Sequence, residues 1–596
     1  MRDSLFKPLS IGMSFSVLVY LILRALYVTV CNDEAVTYLN YISEGDFIPY
    51  YNLQNWSANN HVLNTMLSWL STEIFGLSDF SLRLPNVLSF IVYAWFSVKL
   101  LQHISSTYVR VIGLFLLFGA QYFIEFFAYS RGYGLGNAAL LGSIYFTLVY
   151  LKHGIHKNLW WALLFMGLAV LANLNLLITS ILWLCYLFVS DFHLARLKLR
   201  WPFYITSFFT LLLFANYAFQ LREESALYYG QEEFIGSFWS IISKVIYVHT
   251  FTALYFSLVV GSILIGLMVR KTVINRSLNH PGAMLLVLFL GNVFAAFFMH
   301  LLIDVIYPSE RTILHWYVLF ILALLFTEDL FHRWMKNVWI GSLALLALSV
   351  VSMSARHLSL YSSLDYYWAK EQIPESFYEH IIKKTDNSLP TISVQNAFYT
   401  RWFFFQNQKH PDRAQLFAQP LLENEVITVA DFAILDLENF PQKTEWFDTL
   451  QYDQHSRMTL VKRRLGIEEI IIDESQAQIA ATKEEFNNLF SANVSNFSGS
   501  SIGIRINFTG RAQGDNLQGV LFVAVTDSAN NQLYYQQLDL FEGIYMNGER
   551  KMNPTLLIQE LPANSSELNV YFWNTFSQQI EIVKSRVELF EIKTKE

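Results

Sequence analysis

The sequence predicts a polytopic α-helical membrane protein of about 11 spans, followed on the outer side by an α/β segment and a β-sandwich of jelly-roll type. Three observations carry this. Apolar residues make up 54% of the 596-residue chain and charged residues only 15%, the balance of a chain that faces lipid. Runs of about 20 apolar residues, enough for a helix to cross a hydrocarbon core of about 30 Å, recur until about Ser354 and then stop. Cations and acids alternate between successive connections, as a fixed orientation in the membrane requires.

The first run follows Arg2 and Lys7 and begins like a secretory signal at Leu9–Leu23. It continues through Arg24 to Val30 with no small-residue cleavage pattern, so it reads as a retained helix. The predicted spans are 9–30, 82–102, 111–127, 135–151, 159–172, 174–190, 202–219, 248–269, 283–302, 312–327 and 338–355. Asn173 and Asn175 favour a break where 159–190 would otherwise run on as one helix. Basic connections hold Lys99/Arg110, Lys152/Lys157, Arg196/Lys198/Arg200, Arg270/Lys271/Arg276 and Arg333/Lys336. Most of the alternate ones are acidic: Asp33/Glu34/Glu44/Asp46, Glu223/Glu224/Glu232/Glu233 and Asp304/Glu310. This places the amino terminus in the cytoplasm, and an odd span count places everything after residue 356 outside. A bacterial inner membrane is the default setting. A net charge of −7 without a basic stripe argues against a nucleic-acid partner. Two cysteines, Cys31 and Cys185, exclude a disulfide framework or a zinc ribbon and are expected as two packed thiols.

The predicted organisation is a membrane domain over 1–355, an α/β domain over 356–465 and a β-sandwich over 466–596. In the middle part Pro374–Lys384 reads as a helix, and Thr391–Val394, Ala430–Leu437 and Met458–Val461 as strands. The last part has extended stretches at Ser501–Phe508, Gly519–Asp527, Gln532–Leu540, Leu568–Trp573 and Glu581–Phe590. Turn formers such as Gly514–Asp515–Asn516, Asn530–Asn531 and Asn547–Gly548 punctuate them. Tyr534, Tyr535, Tyr571 and Trp573 are expected as core or strand-pair residues rather than a sugar platform.

The chemistry-bearing residues gather in connections assigned to the outer side. Residues 31–61 open with adjacent carboxylates, Asp33 and Glu34, and end with Trp56, Asn59, Asn60 and His61. The acids are merely solvated, cap a short helix, or act together, Asp33 as a general base toward a hydroxyl and Glu34 orienting it or packing under it. His61 is a surface or capping histidine, a metal ligand or a donor to phosphate. EFFAYSRGYGLG places Glu125, Tyr129, Arg131 and Tyr133 in one short turn, where a guanidinium can grip phosphate oxygens. YPSERTILHWY places Glu310, Arg311 and His315 at the mouth of a later span; the alternative there is an interfacial anchor. Arg24 either snorkels outward or faces a cavity and meets phosphate, and Arg83 reads as snorkelling.

Taken together, NDEAVTYLNY after the first helix, NNHVLNTMLSWL followed by LRLPNVLSF, the SRGYGL turn and YPSERTIL resemble the GT-C superfamily of membrane glycosyltransferases. The nearest likeness is to the protein O-mannosyltransferase and lipid A aminoarabinose transferase branch, over roughly residues 10–355. Where many relatives carry an HPP-like segment this chain has HVLN. The resemblance implies a GT-C fold, a polyprenyl-phosphate sugar donor entering from the bilayer, a hydroxyl-bearing acceptor and Asp33 as catalytic base. A phosphate leaving group needs no general acid, which leaves one base and positive charge at the departing phosphate as the requirements. Asp33 and Glu34 are the catalytic candidates, and Arg131, Tyr133, Arg311 and Arg24 the donor-phosphate candidates. His61, Glu125 and Asn60 are candidates for a polar contact or for a divalent metal ion. Competing readings are a transporter or flippase of lipid-linked sugars, a polysaccharide polymerase or ligase, and a membrane-anchored binding protein.

Overall fold

In the computed structural model the described residues are 3–43, 45, 59–193, 196–223, 280–327, 333–363, 366–384, 390–395, 398–413, 416, 418–420, 430–437, 447–464 and 467–594. Within the last range 514–516, 541–543, 547–548, 559 and 576 are excepted, and scattered positions between 230 and 244 are added. The expected span 248–269 lies outside these residues. So do Glu44, Asp46, Trp56, Glu224, Arg270, Lys271, Arg276 and the turns 514–516 and 547–548. The chain forms two compact units. Met1–Val28 folds with Val36–Tyr366, and Thr29–Ala35 with Tyr367–Glu596.

The first unit is helical: α1 (Asp3–Tyr27), α2 (Asn32–Thr37, whose first residues belong to the second unit), α3 (Val62–Phe75), α4 (Asp79–Leu101), α5 (Thr107–Phe118), α6 (Gln121–Ile124), α7 (Gly132–His153), α8 (Lys157–Ala172), α9 (Leu176–His193), α10 (Leu197–Glu223), α11 (Pro281–Ile303), α12 (Leu314–Leu325) and α13 (Arg333–Arg356). Every expected apolar run within the described residues falls on a helix. Among the described residues seven helices, α1, α4, α7, α9, α10, α11 and α13, are long and apolar enough to cross a membrane, which makes the chain a multi-pass membrane protein. The run 111–127 is not one straight span, because α5 and the α6 turn meet at 61°. The chain leaves helical dihedrals at Ala120 (φ −81°, ψ 99°) and restarts at Gln121. Between α8 and α9 the expected break is present. Asn173 is extended (φ −150°, ψ 106°) and its Oδ1 accepts the Asn175 N–H at 3.2 Å.

Local chemistry sets the helix starts. Ser78 and Ser81 form a reciprocal capping box on α4, each hydroxyl accepting the other's backbone N–H at 3.0 and 2.9 Å, which stabilises that end by about 1 kcal/mol. The start of α7 is Gly132 for a packing reason. A Cβ there would lie 1.7 Å from the Ala172 carbonyl oxygen and 2.9 Å from the His61 Cβ. Only glycine lets the α7 backbone come this close to the end of α8.

In the second unit, α14 (Tyr366–Glu371, whose first residue belongs to the first unit), α15 (Glu375–Lys384) and α16 (Phe398–Lys409) accompany β1 (Ile392–Val394), β2 (Ala418–Pro420), β3 (Phe432–Leu435), β4 (Phe447–Tyr452) and β5 (Thr459–Arg463). The sheet order is β2-β1-β3-β5-β4, with β1 parallel to β2 and β3, and β5 antiparallel to its neighbours. Phe377, Tyr378 and Ile381 of α15 and Trp402 and Phe403 of α16 bury one sheet face with Val394 and Ile434. Glu375 joins the two helices, accepting from Lys409 Nζ at 2.9 Å and lying 2.6 Å from His410 Nε2.

The remaining strands are β6 (Ile467–Thr482), β7 (Phe486–Asn493), β8 (Ile502–Ala512), β9 (Val520–Asp527), β10 (Gln532–Asp539), β11 (Ile544–Met546), β12 (Glu549–Met552), β13 (Thr555–Ile558), β14 (Ser565–Trp573) and β15 (Ile580–Thr594). They make a four-stranded antiparallel sheet, β10-β9-β14-β7, and a six-stranded one, β11-β12-β8-β15-β6 with β13 beside β8. Alternate residues of both sheets enter one core, among them Ile504, Ile506 and Phe508 of β8, and Leu568, Val570 and Phe572 of β14. Phe508 and Phe572 meet with ring centroids 5.5 Å apart. Cys31 is buried but Cys185 is exposed, so the expectation of two packed thiols holds for only one; both are free.

Candidate active site

In the first unit, polar side chains converge around the start of α7. Arg131, the residue just before that helix, donates from Nη1 to Thr37 Oγ1 (3.1 Å) and to the Asn59 carbonyl (3.1 Å), and from Nη2 to Asn59 Oδ1 (2.5 Å). Its guanidinium stands 6.0 Å from the Tyr133 ring centroid. His61, the residue before α3, lies edge-on to Tyr133 at 4.8 Å. Its Nδ1 is 2.8 Å from the Ala172 carbonyl, so Nδ1 carries the proton and Nε2 presents a lone pair. Burial first, then the positive charge of Arg131 and, more weakly, of Arg311, hold His61 well below the ordinary histidine pKa, against the pull of the Ala172 hydrogen bond. His61 is therefore neutral, and Nε2 is buried without a hydrogen-bond partner. Asn60 lies beside it, its Oδ1 accepting from Thr65 Oγ1 at 2.8 Å.

Arg311 sits in a 3-10 turn, Glu310–Ile313, that opens α12. Glu310 adopts a left-handed φ of 50°, costly for a residue with a Cβ, and its carboxylate pairs with Lys244 at 3.0 Å. The structure thus brings Arg131, Tyr133, Arg311 and His61 into one electrostatic neighbourhood. His315 lies within α12, buried, with neither ring nitrogen hydrogen-bonded.

Arg24 and Glu125 meet each other. Nη2 of Arg24 is 3.1 Å from Glu125 Oε2 and 2.9 Å from Tyr129 Oη, while Nη1 donates to the carbonyls of Ser359 (2.7 Å) and Ser362 (2.9 Å). Ser363 Oγ donates to the other carboxylate oxygen at 3.3 Å. Both charges are fully buried, so Arg24 does not snorkel. Neither does Arg83, which is buried, donates to the carbonyls of Ala25 in α1 and of Val28 just after it, and shares the Tyr129 ring with Arg24 at 5.5 and 5.6 Å.

The acids Asp33 and Glu34 occupy the first turn of α2 and belong to the second unit. Glu34 is buried and accepts the Cys31 N–H at 3.2 Å, while Asp33 is half-buried. A third carboxylate, Glu371 at the end of α14, accepts the Asn32 N–H at 3.1 Å. Burial first, then the charges of Glu34, Asp33 and Glu371, push the Cys31 thiol well above its ordinary pKa. Sequence reading missed Glu371 because it lies more than 330 positions away, in a segment with no motif. It missed Asn59 as the main partner of Arg131 for the same reason: an asparagine in a loop carries no signal of its contacts.

The arrangement does not fit a resident metal ion. Glu125 shares its oxygens with Arg24 and Ser363, and His61 sits in the field of two arginines, surroundings that favour an anion or a neutral hydroxyl. Among the described residues no three His, Cys, Asp or Glu side chains gather as a ligand set.

No protein-family model matches the sequence, and no curated protein does. Among solved structures the chain is similar to ArnT from Cupriavidus metallidurans in the apo state, with 12% identity, 76% of this chain and 97% of that one covered, and a TM-score of 0.44. Against ArnT from Cupriavidus metallidurans bound to undecaprenyl phosphate the identity is 13%, the coverage the same and the TM-score 0.41. Against the arabinosyltransferase EmbB from Mycobacterium smegmatis it is 11%, over 98% of this chain and 64% of that one, with a TM-score of 0.34.

Proposed function

We propose that the protein is an integral-membrane glycosyltransferase that moves a sugar from a polyprenyl-phosphate donor to a hydroxyl acceptor on the extracytoplasmic face. The observation that carries this is the grouping of Arg131 and Arg311 about a neutral His61, beside Tyr133. In this reading the acceptor oxygen attacks the anomeric carbon in line, Asp33 takes its proton, and the bond to the phosphate oxygen breaks. The sugar's configuration inverts. The phosphate gains one negative charge as it leaves, and Arg131 and Arg311 stabilise that charge. Glu34 and Glu371 fix the α2 turn that carries Asp33. His61 Nε2, an acceptor, suits a sugar hydroxyl, and the Arg24–Glu125 pair braces the turn before Arg131.

The same reading takes the helical part as a GT-C domain of about 11 spans over 1–355, with an α/β domain over 356–465 and a β-sandwich over 466–596. The amino terminus lies in the cytoplasm of a bacterial inner membrane and the carboxy-terminal domains lie outside. Alternating basic and acidic connections support that orientation.

The test is release of sugar from a panel of radiolabelled polyprenyl-phosphate sugars by the detergent-solubilised protein, wild type against Asp33→Asn. Turnover by wild type, with Asp33→Asn folded, binding donor and inactive, is the expected outcome. Equal turnover in both removes Asp33 from the base role. Tight donor binding without turnover across a broad acceptor set favours a transporter.

A further inference from the structure

The outer face of the four-stranded sheet carries a row of aromatic rings. Along β14 the side chains alternate, Leu568, Val570 and Phe572 entering the core while Asn569, Tyr571 and Trp573 face outward. The outward ring contacts run across all four strands. Phe486 of β7 stacks on Trp573 with centroids 5.9 Å apart and planes 11° apart, and Trp573 and Tyr571 of β14 lie 5.7 and 5.3 Å from Phe522 of β9. Tyr535 of β10 lies 4.9 Å from Phe522 on its other side. At about 4.8 Å between strands, the row is about 14 Å long. Its ends are open to solvent, Phe486 at 55% and Tyr535 at 42% exposure, while Phe522 between them is buried, so the rings on either side of it form the accessible surface. As expected, Tyr534 packs on the core, while Tyr535, Tyr571 and Trp573 are strand-pair residues whose pairs lie on the face opposite the core.

What borders the row decides its ligand. None of β7, β9, β10 and β14 contains a lysine or an arginine. Beside the rings on β7 and β14 is a chain of neutral hydrogen-bonding groups: Asn488 Nδ2 donates to Ser491 Oγ at 2.9 Å, and Ser491 Oγ to Asn569 Oδ1 at 2.6 Å. Glu485 accepts the Trp573 indole N–H at 3.1 Å and fixes that ring. These strands offer an anionic lipid or a polyanion no positive partner along the row. Aromatic rings flanked by amides and hydroxyls match the amphipathic chemistry of a neutral sugar chain, whose C–H faces pack on rings while its hydroxyls exchange hydrogen bonds. We propose that this face is a binding site for a neutral oligosaccharide, separate from the transfer chemistry and not dependent on it.

The test uses the full-length protein in detergent, with cellohexaose, laminarihexaose and mannohexaose as probes and tryptophan fluorescence and calorimetry as readouts. At least one hexaose is expected to bind, and Tyr535→Ala and Trp573→Ala each to weaken that binding about tenfold, the loss of one ring contact. Asp33→Asn binds as wild type does, which separates this site from the transferase reading. Tyr535 is exposed on an edge strand, so its variant keeps the fold, checked by circular dichroism, and decides alone if Trp573→Ala does not fold. Absence of binding to all three probes, undiminished binding by Tyr535→Ala, or binding only to phosphatidylglycerol vesicles overturns the proposal.

Discussion

Glu125→Gln tests the buried ion pair most directly. The substitution keeps the shape of the side chain and an oxygen to accept from Arg24, turns the oxygen that faces Ser363 into an NH2 donor to which that hydroxyl can turn, and removes the charge that balances a guanidinium with 1% of its side chain exposed. Around Arg24 there then remain the Ser359 and Ser362 carbonyls, the Tyr129 and Tyr20 hydroxyls and a neutral amide oxygen. None carries a full negative charge. Uncompensating a buried charge in this way costs about 3–5 kcal/mol. In a thermal scan in detergent that corresponds to a shift on the order of 10 °C. The double variant Arg24→Gln/Glu125→Gln exchanges two buried ions for two amides and is expected to recover most of the loss, because a removed pair leaves no orphan charge. The readout is a double-mutant cycle on melting temperature with and without added divalent cation. A Glu125→Gln protein as stable as wild type, or single effects that simply add, refutes the pairing argument. Stabilisation of wild type but not of Glu125→Gln by the cation restores Glu125 as a metal ligand.

Two further outcomes follow from the same unit. Gly132→Ala places a Cβ into the Ala172 carbonyl oxygen and is expected to destabilise by several kcal/mol, on the order of the larger overpacking effects, read as lost yield and a lowered melting temperature. The depressed pKa of His61 means that below about pH 6.5 the unfolded chain binds a proton that the folded chain does not. The stability from keeping His61 neutral is therefore fully present above that pH and falls by about 1.4 kcal/mol per unit below it; His61→Asn flattens that slope in a pH series of melting curves.

The chain by itself determined its membrane character, its helix positions and much of its strand pattern. Those properties depend on local periodicity and length, and an apolar run of about 20 residues has few alternatives to a helix across a bilayer. The break at Asn173 was equally legible, because a polar residue that bonds its own backbone announces itself. Tertiary structure alone decided the partners. Whether Arg24 meets water, phosphate or Glu125 turns on which helix ends the fold places together, and the two residues are about 100 positions apart. The bend after α5, the approach of Glu371 to the α2 turn and the dependence of Gly132 on the end of α8 are of the same kind. For the outer-face aromatic row, alternation along a strand names the two faces but not which of them is covered. Only the second sheet, by burying Phe572 and leaving Trp573 outside, settles that.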